Sequence, residues 1–141
     1  MREHQISRRS VLKLGAVLGI PTFVSSRALG LAGQAPASER VKVAIIGLGG
    51  RARSIVNESR EIKDMQIVAV CDCFKPAIDR FVKDVGQDQK WGTYEDFRTM
   101  IEKEKPDGVM VETTTHARAW ITVIAMQMGM DAYIEKPMCL T

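Results

Sequence analysis

The chain has few cysteines, no long hydrophobic run and no marked excess of charge. Its three cysteines among 141 residues cannot close a disulfide framework, and no C-x-x-C pair of the metal-binding type occurs. No apolar run reaches the roughly 18 residues of a membrane-spanning helix. Hydrophobic residues make up 45% and charged residues 26%, a balance that argues against disorder for most of the chain. These absences leave a globular protein whose length predicts one domain.

The charge is unevenly distributed along the chain. Residues 1–40 hold six Lys or Arg against two Asp or Glu, whereas residues 41–141 hold 14 against 15. The net charge of +3 therefore comes from the first forty residues. Because the remainder lacks a basic excess, it has no electrostatic footprint for nucleic acid, and we expect no nucleic-acid partner.

The first 37 residues have the organisation of an export signal. A basic start precedes a moderately apolar stretch from Val11 to Val24, and Ala35-Pro36-Ala37 has the A-x-A form that signal peptidase accepts. Residues 7–13, SRRSVLK, resemble the twin-arginine motif S-R-R-x-F-L-K, with Val11 in place of Phe. We therefore predict a signal over 1–37, a linker over 38–40, and periplasmic export through the twin-arginine translocase. The alternatives are an anchoring N-terminal helix and an uncleaved signal that tethers the protein to the membrane.

From residue 41 onward, short apolar runs alternate with segments of helical periodicity. Strands are predicted at 41–46, 65–70, 108–111 and 132–134. Helices are predicted over 51–60, 76–85, from Tyr94 to just before Pro106, and over 117–128. This alternation predicts an α/β fold with a parallel sheet over residues 41–141. Ligands of such sheets bind beyond the carboxyl ends of the strands, where every motif described below falls.

A glycine motif, Gly47-x-Gly49-x-x-Ala52, links the first strand to the first helix. Gly47 permits a tight turn, Gly49 lets bare backbone approach a pyrophosphate, and Ala52 allows close packing of helix on strand. The helix N-terminus adds N–H groups and a positive dipole for phosphates. The alternative is a tight turn without a ligand. The strand, the helix and an acid at the next strand end together favour dinucleotide binding.

That acid is Asp72, which follows the second strand and lies 23 residues after Gly49. A carboxylate there can accept hydrogen bonds from the adenosine ribose hydroxyls, and it would repel a 2′-phosphate, which favours NAD. Lys75 could pair with such a phosphate, so NADP stays open. A turn or helix-capping role is the alternative for Asp72. Cys71 and Cys73 are interpreted as small packing residues that line the adenosine end.

Hydroxyl groups and a histidine follow the strand at 108–111. Thr113 and Thr114 can contact the nicotinamide ribose or a phosphate, and one of them can instead cap the next helix. His116 is the only histidine after the predicted signal, and it has no evident partner for a nucleophile triad or a metal. A structural hydrogen-bonding role is therefore its alternative.

The tripeptide Glu135-Lys136-Pro137 follows the last predicted strand. An ammonium at this place would lie near the nicotinamide end of the cleft. There Lys136 can hydrogen-bond a substrate oxygen and favour the charge that develops during hydride transfer. Pro137 stiffens the turn that holds this lysine. The alternative is a surface Glu–Lys pair before a loop.

Taken together, residues 41–141 resemble the N-terminal half of the glucose–fructose oxidoreductase / inositol dehydrogenase (Gfo/Idh/MocA) family. The similar segments are residues 43–52, 70–72, 113–119 and 125–137. The resemblance implies a Rossmann-like parallel sheet with helices on both faces, NAD or NADP as cofactor, and redox chemistry on a sugar, a polyol or a related carbohydrate. It implies Lys136 as the catalytic residue, touching substrate and cofactor. The cofactor-binding residues that it implies are Gly47, Gly49, Gly50, Arg51, Ala52, Asp72, Thr113, Thr114, His116 and Glu135.

The resemblance has two departures. His116 matches the first histidine of the family's frequent H-W-H stretch, whereas Ala117 and Arg118 replace the Trp and the second His. The family also carries a second α/β substrate domain, which supplies the catalytic histidine, and this chain ends four residues after Pro137. We therefore expect an incomplete protein that is inactive alone and whose homo-oligomer contacts lie in the absent domain. The alternatives are a stand-alone nucleotide-binding or regulatory module without turnover and a degenerate, non-binding partner protein.

The export signal can be tested by changing Arg8 and Arg9 together to lysine. The twin-arginine pathway reads the arginine pair itself, so the double variant should stay in the cytoplasm while the original chain reaches the periplasm. Cell fractionation and immunoblotting measure the distribution. Normal export of the lysine variant would contradict the twin-arginine assignment.

Overall fold

The computed structural model describes Pro36 and residues 38–140, so the predicted signal lies outside the described residues except for Pro36. Five strands are present: β1 Val41–Ile46, β2 Met65–Cys71, β3 Gly92–Tyr94, β4 Gly108–Val111 and β5 Asp131–Ile134. The described helices are α1 Gly50–Ser59, α2 Lys75–Val85, α3 Phe97–Glu104 and α4 Thr115–Gln127. None of these helices is both long and apolar enough to cross a membrane.

The strands form one parallel sheet in the order β3-β2-β1-β4-β5. Strand β1 lies at the centre because the chain builds β2 and β3 on one side of it and then returns to build β4 and β5 on the other. The direction of strand order therefore reverses at β1, and such a reversal opens a crevice at the carboxyl ends of the strands. The predicted parallel α/β fold is confirmed.

Helices cover both faces of this sheet, which explains why strands β1, β2 and β4 are largely apolar. Ala44 and Ile46 of β1 point to a core that α3 and α4 close, while Ile45 points to a second core that α1 and α2 close. Phe81 and Met100 are fully buried, one in each core. Because helices pack on both faces of the sheet, the carboxyl ends of β1, β2 and β4 are held in place relative to one another.

One predicted element is wrong at its start. The sequence pattern predicts a third helix from Tyr94, but Tyr94 ends β3, and the helix α3 begins at Phe97. Asp96 stands between them and accepts a hydrogen bond from the Arg98 backbone N–H at 2.9 Å, which caps α3. Strand β3 has only three residues and forms by pairing with β2 at the sheet edge. So short a strand has no periodicity that local sequence can reveal.

The turn after β1 depends on Gly47. Its φ is +91°, in the left-handed region that favours glycine. A Cβ built on Gly47 would lie 2.7 Å from the Thr113 backbone nitrogen and 2.8 Å from the Glu112 carbonyl carbon. The turn therefore passes directly against the end of β4, and both its conformation and this close approach require glycine.

Candidate functional site

A cleft of about 530 Å³ opens at the carboxyl ends of β1, β2 and β4. It contains six of the residues predicted to bind a cofactor: Gly47, Gly49, Asp72, Thr113, Thr114 and His116. A second cavity of about 450 Å³ lies at the opposite edge of the sheet, between Val56, Ile67 and Trp91. The cleft at the carboxyl ends of the strands is the candidate site, because six of the predicted cofactor-binding residues line it.

The glycine turn leaves open space in front of α1. A Cβ built on Gly49 or Gly50 would meet no other atom within 4 Å. Gly49 is the N-cap of α1 and has no side chain to occupy the first N–H groups of that helix. Unpaired N–H groups and the positive helix end attract an anion, so this geometry fits a phosphate group.

Asp72 holds the glycine turn against the end of β2. Its Oδ2 accepts a hydrogen bond from the Leu48 backbone N–H at 2.9 Å, and its Oδ1 accepts one from the Phe74 N–H at 3.0 Å. The turn role considered as an alternative is therefore present. It does not exclude ligand contact, because each carboxylate oxygen can accept a second hydrogen bond.

The cysteines on either side of Asp72 differ in environment. Cys71 is buried in the core, Cys73 is exposed, and both line the cleft. Burial, together with the nearby Asp72 and Asp96 carboxylates, raises the pKa of the Cys71 thiol to about 12, so this thiol stays protonated at neutral pH.

Lys75 forms an exposed ion pair with Asp79 at 2.8 Å.

The residues after β4 reach the cleft in different ways. Thr114 occupies the N-cap position of α4, but its side chain makes no capping hydrogen bond, so the capping alternative is not realised there. Thr113 has a buried Oγ1 with no hydrogen-bond partner among the described residues. The exposed His116 lines the cleft from the first turn of α4.

The Glu135-Lys136-Pro137 turn is tied to the glycine turn rather than placed in the cleft. Arg51 Nε donates a hydrogen bond to Glu135 Oε1 at 2.6 Å, and this bond lowers the pKa of the Glu135 carboxyl. Lys136 is exposed. The predicted residues that do not line the cleft are Gly50, Arg51, Ala52, Glu135 and Lys136. The ion pair nevertheless connects the start of α1 with the end of β5.

Arg118 organises this region, and the sequence analysis marked it only as a departure. It is 7% exposed. Its Nη1 donates to the carbonyl oxygens of Glu135 at 3.0 Å and Pro137 at 2.6 Å, and its Nη2 donates to the Thr113 carbonyl at 2.5 Å. A single buried guanidinium thus joins the segment after β4 to the turn after β5. No local pattern reveals this role, because all three acceptors are backbone atoms.

Glu112 is a second residue that the sequence analysis missed. It lines the cleft, is 8% exposed, and neither carboxylate oxygen has a hydrogen-bond partner among the described residues. Burial raises the pKa of its carboxyl, and the Glu135 charge acts in the same direction, whereas Arg51 and Arg118 oppose the shift. A signal was present: Glu112 directly follows a buried strand, as Asp72 does.

An aromatic wall closes the side of the cleft next to α3 and α4. The Phe97 and Trp120 rings meet edge to face, with centroids 5.9 Å apart. The Arg98 guanidinium lies over both rings, 5.5 Å from Phe97 and 6.0 Å from Trp120. Trp120 is 56% exposed, so its ring offers a flat apolar surface to a ligand.

A switch-point crevice with a glycine turn before a helix N-terminus defines a Rossmann domain of the dinucleotide-binding class. The family model of the Gfo/Idh/MocA oxidoreductases, described as an NAD-binding Rossmann fold, matches residues 41–141. The chain belongs to this oxidoreductase family, and its domain is the NAD-binding one.

Among curated proteins, the chain is similar to glycosyl hydrolase family 109 members. Glycosyl hydrolase family 109 protein 1 of Akkermansia muciniphila is 31% identical over 114 residues, which cover 77% of this chain and 24% of that protein. The alpha-N-acetylgalactosaminidase of Shewanella oneidensis is 26% identical over 113 residues, covering 76% of this chain and 25% of that protein.

Among solved structures, myo-inositol dehydrogenase of Lactobacillus casei in complex with NAD(H) and myo-inositol superposes with a TM-score of 0.65 at 24% identity. The match covers 72% of this chain and 30% of that one. The chain thus spans about a quarter of the length of the curated relatives that it matches.

The role of Arg118 can be tested with Arg118→Met. The variant leaves three carbonyl oxygens without their donor, and each one that water does not reach should cost about 1–3 kcal/mol of the free energy of unfolding. The matched control is Arg60→Met, which removes an exposed guanidinium bound to one carbonyl, that of Val85, at 3.0 Å; we expect a loss below about 1 kcal/mol. Urea unfolding of both variants gives the two values. Equal losses would contradict the role given to Arg118.

Proposed function

We propose that this chain is the NAD-binding part of an exported oxidoreductase that acts on a sugar, a polyol or a related carbohydrate. The observation that carries the proposal is the open glycine turn at the N-terminus of α1, with Asp72 at the end of the neighbouring strand. Export rests on the twin-arginine-like residues 7–13, and retention of the signal would leave the protein tethered to the membrane.

In the proposed binding mode, each group of residues meets a chemically matching part of the cofactor. The N–H groups at Gly49, Gly50 and Arg51 would receive the pyrophosphate, because the space in front of Gly49 and Gly50 is open. Asp72 accepts hydrogen bonds from the adenosine ribose through its remaining lone pairs. Ala52 is fully buried and lets α1 pack closely on the sheet.

The adenine would lie against the aromatic wall. Exposed Trp120 and the Arg98 guanidinium offer flat surfaces on which a base can stack. Thr113, Thr114 and His116 face the same cleft from the side of β4 and supply hydrogen-bonding groups there.

When NAD is bound, it would accept the hydride in the proposed oxidation. The protein residue proposed to act on the substrate is Lys136, whose exposed ammonium follows β5 and has no ion-pair partner among the described residues. An ammonium beside the reacting oxygen would stabilise negative charge there and lower the barrier. Arg51 and Arg118 would act as positioning residues for Lys136, because they hold the flanking Glu135 and Pro137.

Two kinds of carbohydrate chemistry are compatible with such a domain. The solved structure with myo-inositol suggests net oxidation of a hydroxyl group. The similarity to glycosyl hydrolase family 109 proteins favours a second candidate, cleavage of a glycosidic bond. NAD-dependent glycoside hydrolases exist as a mechanistic class, so NAD binding does not decide between the two.

Cofactor binding can be tested with Gly49→Val in the 141-residue chain. The valine side chain enters the space proposed for the pyrophosphate, and its Cβ meets no protein atom within 4 Å, so NADH affinity should fall about 10-fold or more while the melting temperature changes little. The contrasting variant Gly47→Ala forces a left-handed residue against backbone and should lower the melting temperature. Fluorescence titration and thermal unfolding are the measurements. Unchanged NADH affinity in Gly49→Val would contradict the proposed site.

Catalysis can be tested in a longer protein that joins this chain to a second domain of the family, with residues 38–141 as the comparison. We expect no turnover from residues 38–141, because the described residues include no second domain to orient a substrate, and orientation supplies several kcal/mol of barrier lowering. In the longer protein, Lys136→Ala should reduce kcat at least about 10-fold. NADH absorbance with sugars and polyols reports oxidation, and release of aryl alcohol from aryl glycosides reports bond cleavage. Unchanged kcat would contradict the role of Lys136.

A further inference from the structure

Glu112 is the most unusual polar residue in the cleft. Both of its carboxylate oxygens, and Oγ1 of the adjacent Thr113, are buried and lack hydrogen-bond partners among the described residues. Burying an unpaired carboxyl destabilises a fold, so such a group calls for a partner that arrives from outside the chain. The candidate partner is whatever fills the cleft that Glu112 lines.

The backbone fixes Glu112 next to the glycine turn. Its N–H donates to the Ile46 carbonyl oxygen at 2.7 Å, which extends the pairing of β4 with β1 by one residue. Side chains alternate along β4, with Val109 and Val111 in the core under α3 and α4, and Met110 packed against the other core. Continuing this alternation places Glu112 on the side of α1. The Arg51 charge acts on its carboxyl from that helix.

The strand order places two carboxyl groups on opposite sides of the glycine turn. Asp72 follows β2, which neighbours β1 on one side, and Glu112 follows β4, which neighbours β1 on the other. A dinucleotide has the same layout, because its pyrophosphate joins two riboses. With the pyrophosphate over the glycine turn and the adenosine ribose at Asp72, the second ribose comes to the end of β4.

We propose that the Glu112 carboxylate accepts hydrogen bonds from the hydroxyls of the nicotinamide-side ribose of NAD. The inference rests on the proposed cofactor site and assigns a residue within it. Ribose hydroxyls are donors that a buried carboxylate lacks, whereas a phosphate would be repelled by it. Thr113 lies beside Glu112 in sequence, and its buried Oγ1 likewise lacks a hydrogen-bond partner among the described residues.

The test compares three ligands on the 141-residue chain and its Glu112→Gln and Glu112→Leu variants. NADH and ADP-ribose contain the second ribose, whereas ADP lacks it. Calorimetric titration should show NADH and ADP-ribose binding weakened about 10-fold or more in both variants, with ADP affinity unchanged. The melting temperature of the ligand-free chain should not fall in Glu112→Gln, because an unpaired buried carboxyl is removed. Glu102→Gln, on the exposed surface of α3, is the control and should leave all three affinities unchanged.

Each other result has a distinct meaning. Equal weakening of all three ligands would show a general structural role and overturn the inference. Weaker NADH binding with unchanged ADP-ribose binding would place the contact at the nicotinamide ring and overturn it as well. Unchanged affinities in a chain that binds NADH would overturn the inference alone. If the unaltered chain binds neither NADH nor ADP, the proposed cofactor site is overturned, and the inference is overturned with it.

Discussion

The buried Arg118 guanidinium is the interaction on which the arrangement of the site depends. The segments after β4 and β5 leave the sheet at the same edge, and beyond the strands their carbonyl oxygens no longer have ladder partners. Arg118 reaches three of these carbonyls from the first turns of α4. A guanidinium suits this task because its donors are fixed in one plane, whereas a lysine ammonium is a single point of charge. The Glu135-Lys136-Pro137 turn therefore has a defined place relative to the cleft.

Charges around the N-terminus of α1 are arranged so that neighbouring carboxyl groups behave differently. Glu135 has a direct hydrogen bond from Arg51, which lowers its pKa, so it stays ionised. Glu112 is buried without such a bond, and the pKa of its carboxyl is raised. Asp72 uses backbone N–H groups of the turns beside it. Glu135 thus forms an ion pair, Asp72 holds the glycine turn, and Glu112 has no hydrogen-bond partner among the described residues.

The sequence predicted the sheet well where burial dictated composition. Strands β1, β2 and β4 are largely apolar because helices cover both faces of the sheet, and such apolar runs can be recognised from the sequence alone. The prediction was wrong at Tyr94, because β3 exists only through its pairing with β2 and leaves no pattern of its own. Within the site, Gly47 and Asp72 could be identified from the sequence, because a tight turn and an acidic residue at a strand end have local sequence patterns. Glu112 was overlooked although it follows its strand in the same way as Asp72.

By itself, the sequence determined the fold class, the family resemblance and the edge of the sheet at which the site lies, since each follows from local composition and the order of elements. The tertiary structure alone decided which of the marked residues share the cleft and which lie outside it. It placed Lys136 and Glu135 outside the cleft, and it placed Arg118 where its guanidinium connects the segments that follow β4 and β5. The physical reason is that partners such as Arg51 and Glu135 are 84 positions apart in the chain. Contacts between side chains and distant backbone carbonyls depend on how helices cross the sheet, and no local pattern encodes that.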